Sequence, residues 1–77
     1  MRELLHYVAS VLVDHPEDVR VDEETTDQGV TLKLHVRRDD IGKVIGKQGR
    51  TARAIRNLVM AAAQVRQQRV NVQFVDS

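Results

Sequence analysis

Between Met1 and Val13 the apolar residues Leu4, Leu5, Val8, Val11 and Leu12 fall on one helical stripe, with Arg2, Glu3, His6 and Ser10 opposite. This spacing predicts an amphipathic helix. Asp14-His15-Pro16 ends it, because proline has no N–H to continue the ladder and disfavours a helical conformation in the residue before it. From Val19 to Glu24 valines alternate with charged residues, and Thr25-Thr26-Asp27-Gln28-Gly29 supplies turn chemistry. Val30, Leu32, Leu34 and Val36 then alternate with Thr31, Lys33, His35 and Arg37. These segments read as two strands of a hairpin, each with one buried face.

Asp39 or Asp40 is placed to cap a short helix through Ile41, Val44 and Ile45, since an aspartate oxygen accepts from the free N–H groups of a first turn. The segment from Gly46 to Gly49 interrupts that helix. A longer one follows from about Arg50 to Val65, with Ile55, Leu58, Val59 and Ala62 at core spacing and Arg50, Arg53, Arg56, Asn57 and Gln64 on the other side. Val70, Val72 and Phe74 alternate with Asn71 and Gln73, a third strand.

The hairpin makes the first two strands antiparallel, and a right-handed crossover through the helix pair brings the third in parallel to the second. One sheet face is then apolar and takes the helices, while the other stays wet. The expected fold is α+β and two-layered: a three-stranded mixed sheet with three helices on one face, in the order α-β-β-α-α-β. One domain over residues 1–77 accommodates every element, with no repeat or linker.

Length and composition narrow the chemistry. A chain of 77 residues buries only roughly 60% of the surface its unfolded form exposes. With no cysteine, stability must come from packing and hydrogen bonds, and a reducing cytoplasm is the natural setting. No apolar run approaches the roughly 20 residues of a membrane helix. The net charge of +1 hides a division: residues 1–40 hold five Lys/Arg against ten Asp/Glu, and residues 41–77 hold seven against one. The second half is a candidate polyanion surface.

The most informative stretch is Ile41-Gly42-Lys43-Val44-Ile45-Gly46-Lys47-Gln48-Gly49-Arg50. Two glycines three apart between helices let the backbone turn tightly and let a ligand backbone approach without a Cβ in the way. Lys47 and Gln48 lie between them and Lys43 and Arg50 flank them. The helix starting near Arg50 adds free N–H groups and the positive end of its dipole, an arrangement suited to phosphate.

Here the chain resembles the KH domains, whose GXXG loop clamps the backbone of about four nucleotides of single-stranded RNA or DNA. The resemblance extends to the run I-G-x-x-I-G-x-x-G, reproduced by Ile41-Gly42, Ile45-Gly46 and Gly49, and the element order is similar to the type II arrangement of short bacterial single-KH proteins. It implies that single-stranded RNA lies in a groove between the helix pair with its loop and the sheet with a variable loop, placed near Gln64 to Arg69. Gly46 and Gly49 would admit the sugar-phosphate backbone, Lys47 and Gln48 would contact phosphates, and Ile41, Val44 and Ile45 would form an apolar floor. Charge and position add Lys43, Arg50 and Arg53, with Arg66 and Arg69 on the variable loop. The resemblance also implies an RNA chaperone or post-transcriptional regulator, acting as a homodimer or beside a second KH protein, with links to cell shape and envelope homeostasis.

Other chemistries find little support. A nucleotide-binding P-loop needs four residues between its glycines and Ser or Thr after the lysine, whereas Gly42 and Gly46 enclose three and Gln48 follows Lys47. His6, His15 and His35 are scattered over a helix, a turn and the wet face of a strand, and read as solvated. No enzyme, metal site, cofactor or small-molecule substrate is therefore expected. Tyr7 and Phe74, the only aromatics, are compatible with core positions, so stacking platforms are not expected. The apolar residues of the last helix span about 200° of its wheel, more than the roughly 100° that one sheet needs. This points to a dimer or partner surface using part of Ala54, Leu58, Ala61 and Val65, and leaves a protein-interaction module as the alternative function.

Overall fold

The computed structural model describes residues 1–76. Its elements are α1 (Arg2–Leu12), β1 (Arg20–Thr26), β2 (Gly29–Val36), α2 (Ile41–Ile45), α3 (Arg50–Val65) and β3 (Val70–Asp76), with 3-10 turns at Pro16–Asp18, Arg38–Asp40 and Lys47–Gly49. The sheet order is β1-β2-β3. β1 and β2 are antiparallel with Val21 opposite Leu34, and β2 and β3 are parallel with Leu32 opposite Val72. This is the α+β, mixed-sheet arrangement expected from the alternation.

The turn is tighter than its composition suggested. Thr25 and Thr26 continue β1, leaving only Asp27 and Gln28 between the strands. The Thr26 hydroxyl accepts from the Gln28 N–H at 3.2 Å. Gly29 is required there: its φ is +128°, and a Cβ would overlap the Arg69 carbonyl oxygen and stand 3.0 Å from the Arg69 Cβ. The hairpin turn and the loop after α3 therefore abut.

Leu32, Leu34 and Val36 of β2 are fully buried and meet Val70 and Val72 of β3, Val19 just before β1 and Val21 within it, and Leu5, Ala9, Val13, Val44, Ile55 and Val59 from the helical layer. Beyond Val21 every residue of β1 is exposed, so that end of the hairpin projects past the helices. On the opposite sheet face Lys33 pairs with Glu24 at 3.2 Å, and His35 Nε2 lies 3.0 Å from Asp22 Oδ2.

Two helices are rotated relative to their apolar stripes. α1 buries Leu5 and Ala9, and leaves Tyr7, Val11 and Leu12 exposed. α3 buries Ala52, Ile55, Val59 and Ala63, and leaves Leu58 47% exposed. In each case alanines, Ala9 in α1 and Ala52 and Ala63 in α3, are among the buried residues. Leu58 and Tyr7 are thus surface residues rather than core.

Candidate nucleic-acid interface

α2 is a five-residue helix anchored by one fully buried residue, Val44. Val44 therefore belongs to the core and offers no surface, while Ile41 and Ile45 are half-buried at the core's margin. Of the three apolar residues placed under the bases, only Ile41 and Ile45 have surface to present.

The chain leaves α2 through Gly46, whose φ of +76° and ψ of 174° lie in a region reached essentially by glycine alone. A Cβ on Gly46 would overlap the Thr51 hydroxyl and stand 2.7 Å from the Thr51 Cβ, so this glycine lets the first turn of α3 close against the loop. Gly49 differs. Its φ of +73° is left-handed, but the space where a Cβ would stand is open. Gln48 between them is also left-handed, with φ 56° and ψ 26°. Main-chain conformation, more than side-chain contact, shapes the loop.

The loop is rich in donors. Among the described residues, the N–H groups of Lys47 and Gln48 find no backbone acceptor, and Gly49 at the start of α3 provides no side-chain cap. The Arg50 N–H that opens α3 donates to the Lys47 carbonyl, and the free N–H groups of Lys47 and Gln48 stand beside the positive end of the α3 dipole. Lys47 and Arg53 are exposed and make no ion pair among the described residues, while an Arg50 Nη donates to the neutral Gln48 Oε1 at 3.2 Å. These cations are not neutralised, a condition that favours a polyanion.

Lys43 stands apart from them. Its ammonium donates to Asp14 Oδ2 at 2.5 Å and lies 3.6 Å from Asp40 Oδ1. The hydrogen bond to Asp14 raises the Lys43 pKa above its ordinary value, against the effect of desolvation. Asp40 is buried and makes no side-chain cap to α2. Its Oδ2 accepts from the His15 N–H at 3.0 Å and lies 3.1 Å from His15 Nδ1. Burial pushes the Asp40 carboxyl up, but hydrogen bonds from the side chain and backbone of His15 and the backbone of Asp14 outweigh it and leave the group below its ordinary value. His15 is accordingly a partner of Asp40 rather than a solvated histidine. The cluster ties the turn after α1 to the start of α2 and so fixes the helix that delivers the glycine loop.

β3 is an edge strand, and α2 packs against it. On that strand lies a pair that helical and strand patterns did not reveal. Arg56 Nε donates to the Val72 carbonyl at 3.3 Å, and its guanidinium sits 5.0 Å from the Phe74 ring centroid. Phe74 is half-buried against the core, beneath Arg56. No group of three or more potential metal-ligating His, Cys, Asp or Glu side chains occurs among the described residues. No described helix is long and apolar enough to cross a membrane.

A glycine-shaped loop joining two helices, laid over a three-stranded mixed sheet in this order, defines a KH domain. The KhpA/KhpB KH-domain family model matches residues 2–74, and the chain belongs to that family. It is 49% identical over 76 residues to the RNA-binding protein KhpA of Halalkalibacterium halodurans, covering 99% of this chain and 100% of that protein. It is 47% identical to the RNA-binding protein KhpA of Bacillus subtilis, covering 99% and 94%. Among solved structures, Era from Aquifex aeolicus, bound to GDP and aluminium fluoride, superimposes with a TM-score of 0.62 at 16% identity. That likeness concerns the fold alone, over 97% of this chain and 29% of the other.

Proposed function

We propose that this protein binds single-stranded RNA through the loop from Gly46 to Gly49 and the groove between α2 and β3. The observation that carries this reading is the pair of main-chain N–H groups at Lys47 and Gln48 that find no backbone acceptor among the described residues, bordered by cations with no carboxylate partner. Relatives sharing nearly half its residues bear the name RNA-binding protein, which supports the same ligand. In this reading Gly46 and Gly49 shape the loop, Lys47, Gln48, Arg50 and Arg53 contact phosphates, and Ile45 borders the bases. Lys43 acts by positioning α2, because its charge is already engaged. The role is that of a binding protein, an RNA chaperone or post-transcriptional regulator, with no catalytic step. Fluorescence anisotropy of short single-stranded RNAs at two salt concentrations tests it: salt-sensitive binding that the Lys47→Asp, Gln48→Asp double variant loses is expected. Failure of the wild-type protein to bind overturns the reading.

A second KH chain, either another copy of this one or a relative, is the proposed partner. α3 carries a second apolar face, on which Ala54, Leu58, Ala61 and Val65 are all exposed, Val65 to 85%. One groove holding about four nucleotides gives modest affinity, and pairing two such grooves raises the effective concentration of the second contact.

A further inference from the structure

The free edge of β3 is not uniform. The Arg69 carbonyl accepts from the Val30 N–H of β2 at 2.9 Å. With a two-residue period, Asn71, Gln73 and Val75 turn their main-chain groups toward β2, and Val70, Val72 and Phe74 turn theirs outward. An unmodified edge of this kind offers both donors and acceptors to whatever lies beside it. At Val72 the acceptor is already occupied, because Arg56 Nε donates to that carbonyl while the Phe74 ring supports the guanidinium at 5.0 Å. The two Nη groups have no partner among the described residues. A guanidinium has only donors, in a planar fork. Arg56 therefore replaces an outward acceptor with outward donors at mid-edge. It lies six residues into α3 from Arg50, about 9 Å of helix rise, within the reach of a strand clamped at the glycine loop.

We propose that Arg56, held by the Val72 carbonyl and the Phe74 ring, is a specificity-determining residue that selects bases presenting a carbonyl oxygen over those presenting an amino group at this point of the groove. The inference rests on the RNA-binding reading above and adds a base preference to it. Uracil and cytosine give the cleanest comparison, since uracil carries an oxygen where cytosine carries an exocyclic amine. A donor fork accepts the first and leaves the second facing like polarity, with unpaired donors on both sides.

The test is anisotropy of labelled hexauridylate and hexacytidylate with the full chain at one fixed salt concentration. Wild type is expected to favour the uridylate by about tenfold, the scale of a good polar contact to a base edge. Arg56→Lys retains the charge but loses the planar fork, so the ratio falls toward one with the salt dependence unchanged. Arg56→Gln, which carries an acceptor as well as a donor, removes or inverts the preference. Phe74→Leu releases the guanidinium and reduces the ratio part-way. A purely structural role for Arg56 predicts instead that both affinities fall together, along with the melting temperature. Equal wild-type affinity for the two oligomers, or a ratio that survives in folded Arg56→Lys and Arg56→Gln, overturns this inference alone. Binding of neither oligomer overturns the RNA-binding reading and this inference with it.

Discussion

The Thr51 hydroxyl occupies the space in which a side chain on Gly46 would begin. Gly46→Ala meets this overlap as well as a backbone conformation closed to other residues, and should lower stability by about 3 kcal/mol. Gly49→Ala meets only the left-handed backbone, in open space, and should cost about 1 kcal/mol. Urea denaturation of both variants measures the difference. Equal losses would mean that the loop relaxes around Gly46.

Salt dependence separates the cations of the loop. Each phosphate neutralised on a single strand contributes about 0.7 to the slope of log affinity against log salt. Lys47→Ala should lower the slope by about that amount. Lys43→Ala should leave it nearly unchanged, because Asp14 and Asp40 already neutralise that ammonium. Titrating RNA binding over a range of salt concentrations distinguishes the two.

The Asp40 cluster gives the fold an acid limb. Because the folded-state pKa is depressed, ionised Asp40 stabilises the protein throughout the pH range above the ordinary carboxylate value, and this contribution is lost as pH falls through the folded value. Asp40→Asn should melt at a lower temperature than wild type at neutral pH, with the gap narrowing below about pH 4. Lys43 has the opposite sign. Its raised pKa stabilises the fold below the ordinary lysine value, and the benefit disappears as pH rises through the folded value. Melting temperatures across the pH range report both limbs.

The exposed face of α3 predicts a contrast between neighbours. Leu58→Asp should leave the melting temperature of the monomer close to wild type and abolish self-association in sedimentation equilibrium. Val59→Asp, one residue on and fully buried, should prevent folding. If Leu58→Asp sediments as wild type does, self-association through this face is excluded.

Period and punctuation made the element order legible. The valines and leucines of β2 alternate without exception, and the glycines at 46 and 49 stand where two helices must part. Rotation about the helix axes was less accessible. Ile55 and Val59 border both the face containing Leu58 and the face containing Ala52 and Ala63, and the wide apolar arc does not itself say which meets the sheet. The spacing of α1 had the same ambiguity, and the answer depends on the packing of the layers, which no local pattern encodes. Asp40 was read through its nearest neighbours as a cap, whereas its partner His15 lies 25 positions away. The Arg56–Phe74 pair is likewise joined only by the crossover, so no local pattern announces it.

The parallel register places Val30 beside Val70, a separation of 40 residues, so one wall of the proposed groove is made by the strand synthesised last among these elements. Closing that distance costs chain entropy before any core contact offsets it, and non-local pairing of this kind slows folding. A nascent chain still lacking β3 has its glycine loop and its cations but no second wall to set against them. On the proposed reading, competence to hold a ligand is therefore acquired late in synthesis, as a property of the closed sheet.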